Sequence, residues 1–222
     1  MSLTPPVEPT ARLPLFPLGL VLLPGEPVPL HIFEPRYKEM VRVCLDADQP
    51  FGIVYASAQA LAEVGCTARI RSVATRYDDG RLDIVAVGEA RFRVTDVHRD
   101  RPYLTTDTAP LEDADPLAEA NVRTRQRVVA RHMKLLEMAG ETVRPALYEE
   151  PYPLSFVVGR NAGLDLDDKQ VLLSMESEDG RLTYLSEHLG RLLTRVREAK
   201  KISTLARGDG HATGFPEIGG EG

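Results

Sequence analysis

Five histidines (His31, His98, His132, His188 and His211) and two cysteines (Cys44 and Cys66) are the side chains best suited to ligate a metal or act as nucleophile or base. In linear order they are dispersed, without the short spacing by which a helix or tight loop presents two ligands to one ion. Neither H-E-x-x-H nor G-x-S-x-G occurs, so the helical zinc pair and the strained nucleophile turn are both missing. No catalytic residue, cofactor or metal is therefore expected, and a hydrolase site assembled only by folding stays open as an alternative. His31, between Leu30 and Ile32, reads as a side chain at the edge of the core. Cys44 falls on the apolar face of a predicted helix, and both cysteines read as buried free thiols.

Two patterns could bind rather than react. In Glu34-Pro35-Arg36-Tyr37 an acid stands at a helix start, where the dipole is positive, and a guanidinium and a phenol follow that can pin strand to helix. The same Glu34, Arg36 and Tyr37 could line a groove that grips extended polypeptide. The second pattern is a basic ridge. Arg123, Arg127, Arg131 and Lys134 recur at spacings of four, four and three and so share one helical face. Solvation or pairing with acidic clusters such as Glu112-Asp113-Asp115 and Asp165-Asp167-Asp168 is the plainer account of the ridge, and an acidic ligand is the sharper one.

Composition narrows the classes. Hydrophobic residues make up 43% and charged residues 27%, as in ordinary globular proteins. No apolar run reaches membrane-spanning length, and no secretory signal is recognisable, so the cytoplasm is the expected location. A net charge of −6 and the lack of Trp oppose a nucleic-acid platform, which needs clustered cations and stacking surfaces.

The elements that must position these residues divide near residues 112–115. Before that loop, short apolar runs predict strands at Leu13–Leu18, Leu20–Leu23, Val28–Phe33, Phe51–Tyr55, Ala68–Tyr77, Arg81–Val87, Ala90–Val97 and near Tyr103–Thr108. Asp78-Asp79-Gly80 supplies a hairpin turn. One helix interrupts them, with Pro35 at its first position and Tyr37, Met40, Val41, Cys44 and Leu45 on one face. After the loop, four helices are expected. The first covers Leu117–Ala139, aligns Val122, Val129, Met133 and Leu136, and ends at Gly140. Ser155 should cap a second, ended by Gly163, Asp165 a third, and Asp179 a long last helix whose seam is Leu182, Leu185, Leu189, Leu192, Val196 and Ala199. Residues 12–111 thus read as a β-rich unit and 116–206 as a helical bundle, with 1–11 and 208–222 loose.

Several stretches together resemble the amino-terminal, substrate-binding domain of Lon proteases. They are Leu13-Pro14-Leu15-Phe16-Pro17-Leu18, the run Pro29-Leu30-His31-Ile32-Phe33-Glu34-Pro35-Arg36-Tyr37, Phe51-Gly52-Ile53-Val54, Gly65-Cys66-Thr67-Ala68-Arg69-Ile70, Asp79-Gly80-Arg81-Leu82-Asp83-Ile84 and Val87-Gly88-Glu89-Ala90-Arg91-Phe92-Arg93-Val94. The resemblance covers most of 12–111 by motif and 117–196 by pattern. It implies an α+β fold, a PUA-like β pseudobarrel with one inserted helix followed by a small α-helical bundle. Full-length Lon proteases add an ATPase and a serine-lysine peptidase, whereas these 222 residues contain no G-x-x-x-x-G-K-[ST] phosphate loop. A non-catalytic, stand-alone binding module is the expected function, with unfolded or extended protein segments as ligands and a protease or chaperone as working partner. An RNA-binding PUA-like protein is the alternative from another class. A barrel joined to a bundle should leave a cleft at their junction, where apolar walls and a few polar groups could hold a ligand.

Overall fold

The computed structural model describes residues 12–115 and 120–208, with side chains to residue 202; the segments expected to be loose lie almost wholly outside the described residues. The fold is α+β. Six strands, β1 (Leu13–Leu18), β2 (Pro27–Ile32), β3 (Phe51–Ala56), β4 (Leu61–Arg76), β5 (Leu82–His98) and β6 (Leu104–Pro110), form one mixed sheet in the order β2-β5-β4-β3-β1-β6. β1 and β3 run parallel, and the other pairings are antiparallel. Because β6 pairs with both β1 and β5, five strands close into an irregular ring and β2 lies outside it along β5. Closure pairs backbone edges that would otherwise stay open.

β5 makes this possible by serving two partners. Residues 82–87 pair with β2, and residues 92–98 pair with β6. Between them, a Cβ on Gly88 would sit 2.3 Å from the Leu23 carbonyl oxygen, so only glycine lets the chain cross there. Two expected strands, Arg81–Val87 and Ala90–Val97, are therefore one long strand, and β4 begins earlier than its apolar run suggested. The expected strand Leu20–Leu23 is instead a loop. Its Val21, Leu22 and Leu23 are buried, and its backbone is held by Glu26: the carboxylate accepts from Leu23 N at 3.0 Å, and Glu26 N donates to Leu23 O. Apolar content reported burial there, not pairing.

Helix α1 (Pro35–Asp46) buries Tyr37, Met40, Val41 and Cys44, as its spacing requires, with Pro35 in the first turn. The helical half contains α2 (Val122–Ala139), a 3₁₀ turn at Pro145–Glu149, α3 (Leu154–Gly159), α4 (Leu166–Ser174) and α5 (Glu178–Gly208). Gly140 ends α2 at φ 80° and Asp165 caps α4 through Asp168 N at 2.8 Å. Three expectations fail locally. α2 buries Val128 and His132; of the expected stripe Val122 is 61% exposed, while Val129, Met133 and Leu136 are half-buried and Val129 packs against the core, so the stripe lies at the edge of the buried face and not at its centre. A histidine that hydrogen-bonds Tyr148 fills a core position that apolar counting could not assign. Ser155 lies inside α3, buried and bonded to Glu178, and Pro153 precedes the helix instead. Ser177, not Asp179, caps α5, accepting from Gly180 N at 3.2 Å; Asp179 accepts from Asn121 N and ties the start of α2 to α5. On α5 the seam is buried at Leu182, Leu185 and Leu189, half-buried at Leu192 and Val196, and exposed at Ala199. One continuous core runs from Met40, Ile53 and Ile84 to Leu172, Leu185 and Leu189. No described helix is long and apolar enough to cross a membrane.

Candidate functional site

The residues singled out by sequence fall in two separate places. At the end of β2, Arg36 pairs with Glu34 at 2.7 Å and lies over the Tyr37 ring at 4.6 Å. The Tyr37 ring packs against that of Phe16, tilted by 33° with centroids 4.1 Å apart. Burial pushes its phenol up, Arg36 opposing this and Glu34 adding to it. The segment thus pins α1 to the sheet and flanks a small pocket of about 230 Å³. Phe33 stands beside it 59% exposed. His31 is not at the core edge but exposed: its Nδ1 meets Asp83 at 2.6 Å, the other oxygen of Asp83 accepts from Tyr77 at 2.7 Å, and these bonds hold the Asp83 carboxyl below its ordinary range. On α2, Arg123 and Arg127 are exposed. Arg131 is half-buried and donates to the carbonyl and hydroxyl oxygens of Ser186 on α5.

The barrel and the bundle do meet in a cleft, of about 370 Å³, between Pro24, Ala90, Leu111, Tyr152 and Phe156. Its inner wall is an ion network that no linear spacing announced. Asp113, in the connector after β6, accepts from Arg91 at 2.6 Å and from both terminal nitrogens of Arg181 at 2.6 Å. Arg91 also donates to the carbonyls of Leu173 and Met175, and Arg181 to Glu178, Ser155 and the carbonyl of Met175. Both guanidiniums face the Phe156 ring, at 5.4 and 4.6 Å. Burial alone would raise the Asp113 carboxyl, but the hydrogen bonds and charges of Arg181 and Arg91 hold it below the ordinary carboxylate range. Burial also lowers Arg91, with the charge of Arg181 adding to it; Arg181, flanked by Asp113 and Glu178, ends up raised despite its own burial. The donors and acceptors of this wall are largely spent on one another.

A larger concavity, about 810 Å³, opens inside the helical half. Leu135, Leu136 and Ala139 of α2, Leu147 of the 3₁₀ turn and Leu192 of α5 supply its apolar surface, and Glu141, Thr142 and Arg144 stand on its rim. Its shape follows from two devices. His132, one turn before Leu136, holds Tyr148 at 3.0 Å and so fixes the 3₁₀ turn across α2; burial keeps this imidazole below its usual range and hence neutral at pH 7. Arg160 forms another wall, donating to Glu150 at 2.6 Å and to the Pro24 carbonyl at 2.9 Å. A trough of this volume, with apolar walls and few polar groups, has the general make-up of a ligand site.

The sheet also gathers residues that looked scattered: Asp96 and His98 on β5 and Asp107 on β6 place three ligand-type atoms within 4.8 Å of one another. Alternation along a strand puts residues two apart on one face, a signal present in Asp96-Val97-His98 but blind to the partner strand.

Lon protease of Cytophaga hutchinsonii is 24% identical over 213 residues, spanning 89% of this chain and 26% of that protein. Lon protease 2 of Myxococcus xanthus shows the same identity over 214 residues, with 89% and 26% covered. The chain therefore spans about a quarter of the length of these relatives. A shorter match of 94 residues, 34% identical, relates 39% of the chain to 22% of protein cereblon from Danio rerio. Among solved structures, a Lon N-terminal domain protein from Xanthomonas campestris superposes with a TM-score of 0.62 at 25% identity, covering 79% of this chain and 97% of that one. The N-terminal domain of Mycobacterium avium complex Lon protease shares the fold, with a TM-score of 0.58 at 19% identity over 80% and 97% of the two chains. The family model for the ATP-dependent protease La (LON) substrate-binding domain matches residues 12–191, from the first strand into α5, and on that match the chain belongs to the LON substrate-binding domain family.

Proposed function

We propose that the chain is a non-catalytic recognition module that binds extended, apolar-rich segments of other proteins, and that the trough between α2, the 3₁₀ turn and α5 is where it does so. The observation that carries this reading is the trough itself: leucines of three elements face an open space of about 810 Å³, not a closed core. Apolar surface left partly wet gains free energy when a ligand covers it, roughly 25 cal/mol per Å² before the costs of association. The family supports a protein ligand, since its model is described as substrate-binding and the relatives matched along most of the chain are Lon proteases. Recognition without catalysis fits the partners of the four described histidines: His31 bonds Asp83, His98 bonds Asp107, His132 bonds Tyr148, and His188 bonds the Ala162 carbonyl, none of them a serine or cysteine. Arg123 and Arg127, exposed on the same helix as Leu135 and Leu136, would supply charge near the bound chain, while Glu34, Arg36 and Tyr37 hold a second apolar ledge at Phe33. A separate protease or chaperone would receive the bound segment.

The test is capture of a fluorescently labelled, reduced and carboxymethylated model protein, read by anisotropy, with single-stranded RNA in parallel. Binding of the unfolded chain should weaken about tenfold in Ala139→Glu, which sets a charge on the trough without emptying the core, and little in Phe33→Ala. Retention of RNA but not of unfolded protein would sink the proposal.

A further inference from the structure

We propose that Asp96, His98 and Asp107 form a binding site for one divalent transition-metal ion, zinc being the fitting probe. The site lies on the barrel, at the β5–β6 pairing, and is independent of the trough. Asp96 and Asp107 are direct partners in the β5–β6 register. Like charges placed opposite each other on neighbouring strands repel, and a cation between them turns that repulsion into ligation. The imidazole marks the place. His98 Nε2 stands 2.7 Å from Asp107 Oδ2 and 3.8 Å from Asp96 Oδ2.

Zinc binds His nitrogen and carboxylate oxygen at about 2.0–2.2 Å, so tetrahedral donors stand roughly 3–3.5 Å apart. The observed separations bracket that value. Asp96, whose side chain is 69% exposed, can close the remaining gap by rotating about its own bonds without disturbing the core, giving up or sharing the hydrogen bond that its other oxygen accepts from Val97 N at 2.8 Å. Three protein donors leave a fourth position to water. One nitrogen and two oxygens suit zinc and its neighbours, whereas calcium takes six to eight oxygens and magnesium a near-ideal octahedron.

Other groups decide how strong the site is. Arg12 lies 3.6 Å from Asp107 Oδ1 and 2.9 Å from Asp100. Its charge opposes a cation, but it uses the Asp107 oxygen that does not face His98. The thiols do not compete, because burial pushes Cys44 up to about 11 and Cys66 up to about 12, and neither supplies a thiolate at neutral pH.

The experiment is titration of the full chain with zinc chloride by calorimetry, with cobalt(II) as a spectroscopic stand-in. One equivalent should bind the wild type. Asp96→Asn and His98→Ala should each weaken binding about tenfold or more and abolish the visible cobalt bands, as loss of a direct ligand must cost at least what loss of a supporting group does. Arg12→Ala should tighten it, an effect that a site elsewhere would not show. Circular dichroism checks that the variants are folded, and Asp96→Asn, being at the surface, should leave the spectrum unchanged. Absence of zinc binding, or equal affinity in the wild type, Asp96→Asn and His98→Ala, would overturn the site.

Discussion

The junction between barrel and bundle and the trough inside the bundle are both concave, yet they are built on opposite principles. At the junction, Arg91 and Arg181 are buried and their hydrogen bonds go to Asp113, Glu178, Ser155 and backbone carbonyls. Little is left over for a ligand. In the trough, Leu136 and Leu192 remain half-exposed, and among the described residues their apolar surface is uncovered on one side. The difference teaches that two concavities of one chain can be finished in different ways: charge pairing spends the polar groups of one, while apolar surface is left partly open in the other.

The most severe way to break this contrast is to remove the central acid of the junction. Asp113→Asn leaves Arg91 buried without its counter-ion and Arg181 with Glu178 alone, and breaking a buried pair from one side costs about 3–5 kcal/mol. The midpoint of urea unfolding should fall accordingly. A pH series sharpens the point. Because Asp113 is held below its ordinary carboxylate range in the folded state, its stabilisation is fully present above the unfolded value of about 3.9 and is lost as pH falls through the lower folded value. The gap between wild type and Asp113→Asn should therefore be constant from pH 7 to about pH 5 and narrow below about pH 4. A constant gap down to pH 2 would remove Asp113 from its assigned role.

Much of the frame was legible in the residues. α1 could be read from Pro35 and the spacing of Tyr37, Met40, Val41 and Cys44, because a helix on a sheet needs one apolar face. The β4–β5 hairpin could be read from Asp78-Asp79-Gly80, since Gly80 sits at φ 78°. What escaped was set by distant partners. Arg91 and Arg181 look like surface cations until Asp113 is brought between them, and Ser155 looks like a cap until Glu178 claims its hydroxyl. Likewise the face of α2 was misjudged because His132 is polar by type and core by position. The trough was invisible for a related reason: half-burial of Leu136 and Leu192 depends on where the 3₁₀ turn lies, and no local pattern reports that.

A pair of truncations on α5 separates core from trough on one helix. Leu189 is fully buried and Leu192, three residues on, faces the open space. Leu189→Ala should cost about 2–5 kcal/mol through lost burial and the cavity left behind. Leu192→Ala should cost about 1 kcal/mol or less, because water already reaches the site. The order should invert in the capture assay, where Leu192→Ala weakens binding of unfolded protein. Equal destabilisation by both would mean that the trough is closed in solution.

The smallest effect distinguishes members of the basic ridge. Arg127 is exposed, and reversing it to Glu should change stability by no more than about 0.5 kcal/mol, as for other surface positions. Arg131 lies across α5: its guanidinium donates to Ser186 and fills the space beside Gly190, where an added Cβ would come within 3.1 Å of it. Arg131→Glu should therefore cost about 1.5–3 kcal/mol, the value of hydrogen bonds from a charged donor. Thermal melts of the two single variants measure this difference. Reversal of Arg127 should still change capture of an acidic unfolded chain relative to a basic one, because an exposed charge on the helix that walls the trough, about two turns before Leu135, acts on encounter more than on folding. Unchanged discrimination would return Arg127 to ordinary solvation and leave the apolar wall as the whole of the recognition surface.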